Sequence, residues 1–335
     1  MAEVPPGDDQ AGMGLDPIPV AVQGVSAPVL ERPVPEVLPA GEAAPPEAGE
    51  AYAQRPVWRM AVSTFIENKL AIAGVALVVL ITLFCFLGPL FWHTNQVHAN
   101  LANLNESPGG RHPLGTDDNG FDVLGRLMVG GQSSIEVGLA VAVTATGLGV
   151  LYGTIAGFLG GLADTVLMRV VDVILAIPVI YLFIDLASIF KPTLWLLIVV
   201  LSLLSWVGPA RLVRGETLSL RTREYVQAVR TMGGRVPRIL LRHIVPNAIG
   251  TIVVNATFQV ADAILTLAVL SYLGFSLPPP TATWGGMLEN GVNFMYDGYW
   301  WQIYPAGAMI VLTVLAFNFI GDAMRDSFDV RLQKR

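Results

Sequence analysis

Five polar residues, Thr251, Asn255, Gln259, Asp262 and Thr266, interrupt a stretch that is otherwise apolar. Turned through about 100° per residue, they fall within about 80° of one another and so share one face of a helix. Such a face offers hydrogen-bonding groups and one charge, which can line a path for a polar solute or hold neighbouring helices together. A second group lies upstream, where Glu224, Tyr225, Ala228, Gly233 and Gly234 are followed by Arg238 and Pro246 among many arginines. Catalytic chemistry is missing from the pattern. No nucleophile sits with a base, and no G-x-x-x-x-G-K phosphate loop occurs. His93, His98 and His112 are irregularly spaced and short of nearby cysteines, which argues against a metal site.

The elements that position these residues are membrane spans. The chain has 335 residues, 53% hydrophobic and 14% charged, with a mean hydropathy of +0.58. A soluble domain carries roughly 25% charged residues, so a soluble enzyme is excluded. Residues 1–57 carry nine acidic and two basic side chains and eleven of the 23 prolines, leaving a net charge of about +1 on the remainder. With no apolar period, that segment is expected to be a disordered cytoplasmic tail rich in Pro, Ala and Glu. It lacks the basic start and apolar core of a signal peptide. Cys85 is the only cysteine, so no intrachain disulfide forms.

Six spans are expected, at about 70–92, 134–159, 170–190, 193–212, 248–273 and 303–321, each near the ~20 residues a bilayer requires. Arg55, Arg59 and Lys69 precede the first, which places the N-terminus in the cytoplasm. Six crossings then put 213–247 and the C-terminus inside. The arginines agree: eight lie from Arg211 to Arg242, and none in 274–302. Residues 93–133 are expected outside, with Phe121, Leu124 and Met128 on one face of an interfacial helix, and Trp284, Trp300, Trp301 and Tyr304 in an outer aromatic belt. Small residues at Ala145, Gly149, Gly153, Gly157 and Gly161 make a helix face suited to close packing. Arg169 and Asp172, at i and i+3, are expected to pair. The chain divides into the tail 1–57, a first span and external segment 58–133, a core 134–325 containing the loop 213–247, and a cytoplasmic C-terminus 326–335.

Within that loop Tyr225, Val229 and Met232 follow a helical apolar spacing, and Gly233-Gly234 ends the helix. Pro237 opens a second short helix with Val236, Ile239, Leu240 and Ile244 as its apolar set, and Pro246 is expected to break it before the fifth span. A helical hairpin results.

Glu224, Ala228, Gly233 and Pro246-Asn247 resemble the E-A-A loop of ABC importer permeases. His112-Pro113-Leu114-Gly115-Thr116-Asp117, Leu270-Ser271-Tyr272-Leu273-Gly274, Trp284-Gly285, Trp300-Trp301 and Asn318-Phe319-Ile320-Gly321-Asp322-Ala323-Met324-Arg325-Asp326 extend the resemblance to the C-type permease subunit of dipeptide, oligopeptide and nickel importers over about residues 60–332. Phe121 and Gln132 stand where that family usually has arginine, Leu267 where glutamate is common, and Val229 replaces the second alanine of the triplet. The resemblance implies an all-α polytopic membrane protein of the type I ABC importer permease fold, with six transmembrane helices in a prokaryotic plasma membrane. It implies a homologous B-type permease, two ABC ATPase subunits and an external solute-binding protein as partners. The implied cargo is a dipeptide or oligopeptide, with a nickel or metal-chelate cargo as the alternative. ATP and Mg would reside on the ATPases and no cofactor in this chain; membrane lipids surround it, and nucleic acid is not an expected partner. The loop residues Glu224, Tyr225, Ala228, Gly233, Gly234, Arg238 and Pro246 would seat on the ATPase, and the stripe from Thr251 to Thr266 would line the pathway. An ion-coupled secondary transporter would instead call for inverted repeats, and none is evident.

Overall fold

The structure is a computed structural model that describes residues 57–178, 181–182, 185–186 and 189–333. The expected tail lies outside these residues apart from Val57. Among the described residues the regular structure is helical, with one isolated bridge between Thr116 and Asp122.

A short helix α1 (Val57–Glu67) leads into α2 (Lys69–Phe91), whose first turn is capped by the Asn68 side chain accepting from the Leu70 and Ala71 amides. α3 (Val123–Leu159) runs through the middle of the fold against α2, α5 (Leu194–Ser205), α6 (Val207–Leu220) and α9 (Val245–Leu270). Between them lie α4 (Gly161–Ala176), α7 (Glu224–Thr231) and α8 (Val236–Ile239). A π-helical turn, Leu240–Ile244, joins α8 to α9, and another, Ser271–Phe275, follows α9 and kinks at Gly274, whose φ is +89°. α10 (Trp284–Val292) and the long α11 (Tyr304–Gln333) complete the chain, α11 packing on α2 and α9.

Five helical stretches among the described residues are long and apolar enough to cross a membrane: Lys69–Phe91, Val123–Leu159, Leu194–Leu220, Val236–Phe275 and Trp300–Phe328. The remaining expected span, 170–190, is described only in part. α4 stops at Ile177, whose backbone is extended because the following Pro178 disfavours the helical conformation; positions 179–180, 183–184 and 187–188 lie outside the described residues.

Several helices outrun their expected limits. α3 begins eleven residues before the expected 134, because Asp122 accepts from the Gly125 amide at 2.8 Å and caps the helix there. Met128, expected with Phe121 on a separate interfacial helix, is buried in the first turns of this long one, and Phe121 is buried just ahead of its cap. The same end of the fold corrects the aromatic belt. Trp284 is 0% exposed, its indole donating to the Leu127 carbonyl at 2.9 Å, and buried Trp301 donates to the Thr116 carbonyl at 3.1 Å. Only Trp300 and Tyr304 remain exposed.

The small-residue face of α3 packs closely at Gly149, Gly153 and Gly157, whereas Gly161 falls off it, because α3 ends at Leu159 and Gly161, with a φ of +56° and open space at its Cβ position, starts α4. A Cβ on Gly149 would meet Pro209, one on Gly153 would overlap the Ala210 carbonyl, and one on Gly157 would lie 2.8 Å from the Arg214 carbonyl. α6 therefore lies backbone-to-backbone on α3. Arg221 closes this contact by donating to the Gly157 carbonyl at 2.9 Å, where the end of a helix leaves acceptors unpaired. Arg214 forks onto Asp164 at 2.6 and 2.7 Å. Asp172 pairs with Arg211 of α6 and not with its expected neighbour Arg169. Tertiary packing supplies a nearer cation than the same helix does.

Candidate functional site

Two regions carry the expected functional residues. The first is the hairpin of α7 and α8. Arg223 is extended, and Glu224 opens α7 with its charge in the first turn, where the helix dipole favours it. No cation among the described residues pairs with Glu224, which is exposed. Val226 is the buried side chain of α7, with Val229 partly buried beside it. Tyr225 and Met232, expected on the packed face, point outward, and Met232 is 78% exposed. The tertiary contact chose the neighbouring stripe of the helix, so the bulkier pair forms a free surface with exposed Ala228.

The reversal follows at Gly233. Its φ of +79° is left-handed, a region that costs L-residues about 1–2 kcal/mol. The Gly234 amide then donates to the Val229 carbonyl at 3.0 Å. Arg238 is exposed, while Ile239 and Ile244 are buried with Val213, Leu220, Val226, Ala248 and Ile252. This cluster fastens the hairpin to α6 and α9.

Pro246 does not break the helix as expected. A proline ring crowds the carbonyl four residues back and lacks the amide that would bond it. The π turn Leu240–Ile244 widens the coil just ahead of it, and Val245 donates to the Leu240 carbonyl. The second arm of the hairpin, α8, and the spanning helix α9 thereby become one continuous rod.

The second region is the stripe on α9. Thr251, Asn255 and Thr266 are half-buried, Gln259 is buried, and Asp262 is exposed. Asn255 Oδ1 and Gln259 Nε2 are buried without a hydrogen-bond partner, as is Thr146 Oγ1 on α3. Buried polar atoms are rarely left unpaired. Other faces of α9 are occupied: Val260 and Ile264 pack with Ala142 of α3, while Phe258 lies against Gly321 of α11. Of the stripe, Asp262 alone reaches the exposed surface.

The departures from the family pattern have local uses. The Phe121 ring lies 3.9 Å from the Arg126 guanidinium carbon, Gln132 donates to the Cys85 carbonyl at 2.7 Å, and Leu267 is buried among α3 and α5 side chains. Glu136, exposed on α3, went unremarked in the sequence reading. A lone acid within an apolar span was the available signal. Among the described residues no group of three or more His, Cys, Asp or Glu side chains is placed to hold a metal ion.

Comparison with known proteins bears on both regions. Residues 149–334 match the model of the binding-protein-dependent transport system inner membrane component, and residues 57–108 that of the N-terminal TM domain of oligopeptide transport permease C. The oligopeptide transport system permease protein OppC of Bacillus subtilis is 40% identical over 278 residues, covering 83% of this chain and 91% of that protein. The dipeptide transport system permease protein DppC of the same organism is 35% identical over 268 residues, covering 80% and 84%. OppC of Escherichia coli is 38% identical over 277 residues, covering 82% and 91%. With a family model matching more than half of its length and such relatives along most of the rest, this helical chain belongs to the inner membrane components of binding-protein-dependent transport systems.

Proposed function

We propose that the chain is a permease subunit of an ATP-driven importer of dipeptides or oligopeptides in a prokaryotic plasma membrane, with both termini in the cytoplasm. It pairs with a homologous permease across the exposed side that carries Asp262, two ATPase subunits bind below, and an external solute-binding protein delivers the cargo. The relatives named for oligopeptide and dipeptide transport support the cargo class. The carrying observation for the pathway is the α9 stripe. Asp262 is exposed, and Asn255 and Gln259 hold unpartnered polar atoms on a helix apolar enough to span a bilayer. Polar groups in a span usually face a bundle interior or a wet cavity.

Coupling follows from the rod. Exposed Tyr225, Ala228 and Met232 offer an ATPase groove a small apolar surface, Glu224 and Arg238 offer charges at its rim, and the Gly233-Gly234 reversal and Pro246 set the hairpin's shape. Closure of the ATPases on ATP displaces the hairpin, and the continuous helical backbone from Val236 to Leu270 carries that displacement to the stripe. The two arrangements of the helices are then biased by ATP on one side and by the loaded binding protein on the other. ATP hydrolysis belongs to the partners, with Mg, and this chain contributes no catalytic group.

Uptake of a labelled oligopeptide into proteoliposomes tests the reading, using the chain assembled with its permease, ATPase and binding-protein partners. ATP-dependent uptake that disappears without the ATPases is expected. An intact, ATP-hydrolysing complex that moves no peptide would refute the cargo. Glu224→Ala should leave membrane insertion intact while ATPase binding or transport falls; a fully active variant complex would remove the hairpin from the coupling role.

A further inference from the structure

The length of α2 fixes where the bilayer ends. Its 23 residues, Lys69–Phe91, rise about 35 Å, close to the ~30 Å of a hydrocarbon core, so Trp92 emerges among the headgroups on the side opposite the hairpin. The Trp92 indole donates to Asp122 at 3.2 Å, which sets Asp122 at the same level. The chain beyond Trp92 stays near that level. Gln96 donates to the Asp122 carbonyl at 3.3 Å, and the Asn100 and Asn105 amides donate to the Asn119 and Asp117 carbonyls, each at 3.0 Å. Thr116 donates to the Asn103 carbonyl at 2.6 Å and is itself bridged to Asp122. Residues 93–105 are thus strapped along the turn 116–122 beside the end of the span.

The two sides of this strap differ. Inward, its backbone and amide groups are spent on the turn. Outward, Val97, Leu101 and Leu104 are exposed, Leu101 at 75%. Phe91, 84% exposed, joins them to Leu83, Leu87 and Leu90, the exposed stripe of α2. Residues 93–105 also contain no Asp, Glu, Lys or Arg, where a loop of ordinary composition would carry about three. Charge and unpaired backbone are the two features a lipid surface penalises most.

We propose that residues 93–105 rest on the lipid surface, with Val97, Leu101 and Leu104 inserted among the headgroups beside Phe91. The headgroup zone is only about 5–8 Å deep on each side, a depth that a strap held at the level of Asp122 can occupy. Lipid is the occupant because the ridge begins where the lipid-facing stripe of α2 ends. The strap thereby takes the interfacial place that a helix through Phe121 and Met128 was expected to fill. It requires a chain that spans a membrane, whatever its cargo.

The test uses the full chain in phosphatidylcholine nanodiscs. Cys85 is fully buried, so a surface cysteine takes a nitroxide label selectively. Labels are placed at Val97→Cys and Leu101→Cys, with Arg111→Cys, an exposed charged position, as the aqueous reference. Collision with oxygen, which concentrates in lipid, is compared with collision with a water-soluble nickel chelate. Oxygen should dominate at 97 and 101 and nickel at 111, a reversal of the ratio within one segment. Each variant should keep the wild-type thermal midpoint, because the replaced side chains are exposed. Nickel dominating at 97 and 101 would overturn the proposal, and shielding of those labels on adding the binding protein would then give the ridge to that partner. Protection from both reagents would overturn it too, in favour of a second copy of the chain.

Discussion

Asp122 illustrates how much one buried carboxylate can organise. It is 3% exposed, caps α3 through the Gly125 amide, accepts from the Trp92 indole at 3.2 Å, and meets His112 Nδ1 at 2.7 Å. The end of α2, the 112–116 turn and the first turn of α3 thus converge on two oxygens. Asp122→Ala removes the cap and leaves buried donors unpaired, so it should cost about 2 kcal/mol of stability. Thermal unfolding in detergent micelles reads this directly; a midpoint equal to wild type would show that the cap is replaceable by water. His112 and Asp117 belong to the motif that carried the family resemblance. Asp122, just beyond it, owes its added burial and contacts to Trp92 and His112, 30 and 10 residues upstream, which no helical spacing announces.

Among the elements, two glycines separate packing from conformation. Gly153 sits where α3 meets α6, and a methyl group there would overlap the Ala210 carbonyl and come within 3.0 Å of the Arg214 amide. Backbone cannot swing aside as a side chain can. Gly153→Ala should therefore force the helices apart, lowering stability by about 1–3 kcal/mol. Gly233 has nothing within 4 Å of a Cβ, only its left-handed backbone to defend. Gly233→Ala should cost about 1 kcal/mol, confined to the hairpin, and its consequence should appear in ATP-coupled transport. Measured side by side, Gly153→Ala should lose thermal stability with little folded protein recovered. Gly233→Ala should keep a near-wild-type midpoint with reduced uptake per ATP hydrolysed. The reverse pattern would mean that the hairpin, and not the α3–α6 contact, limits stability.

At the scale of the whole molecule, the isolated chain is an incomplete bundle. Large apolar side chains such as Leu80, Leu151 and Leu162 are exposed, as suits a lipid-facing surface. Asp262 is exposed too, and lipid is a poor neighbour for a carboxylate. The second permease proposed above, facing Asp262 across a wet interface, would resolve this. Asp262→Ala should then assemble normally yet slow uptake about tenfold, since a charge-assisted contact contributes on the order of 1.5–3 kcal/mol. Transport at the wild-type rate would exclude Asp262 from the pathway and leave the stripe as interhelical adhesive.

Membrane residence, the apolar spans, the four-residue glycine spacing, the helical hairpin and the polar face of α9 were all readable along the chain, because hydropathy and helical periodicity are local properties. Packing alone decided which side of a helix turned inward. Val226 displaced Tyr225 and Met232 because α6 and α9 offered their apolar cluster to that stripe, and Asp172 found Arg211 because α6 lay closer than one turn of α4. Trp284 and Trp301 became buried anchors through acceptors at Leu127 and Thr116, more than 150 residues away. The same holds for Pro246. Its type signals a break, but a widened turn upstream absorbs the ring, and the continuous rod this creates exists only in three dimensions.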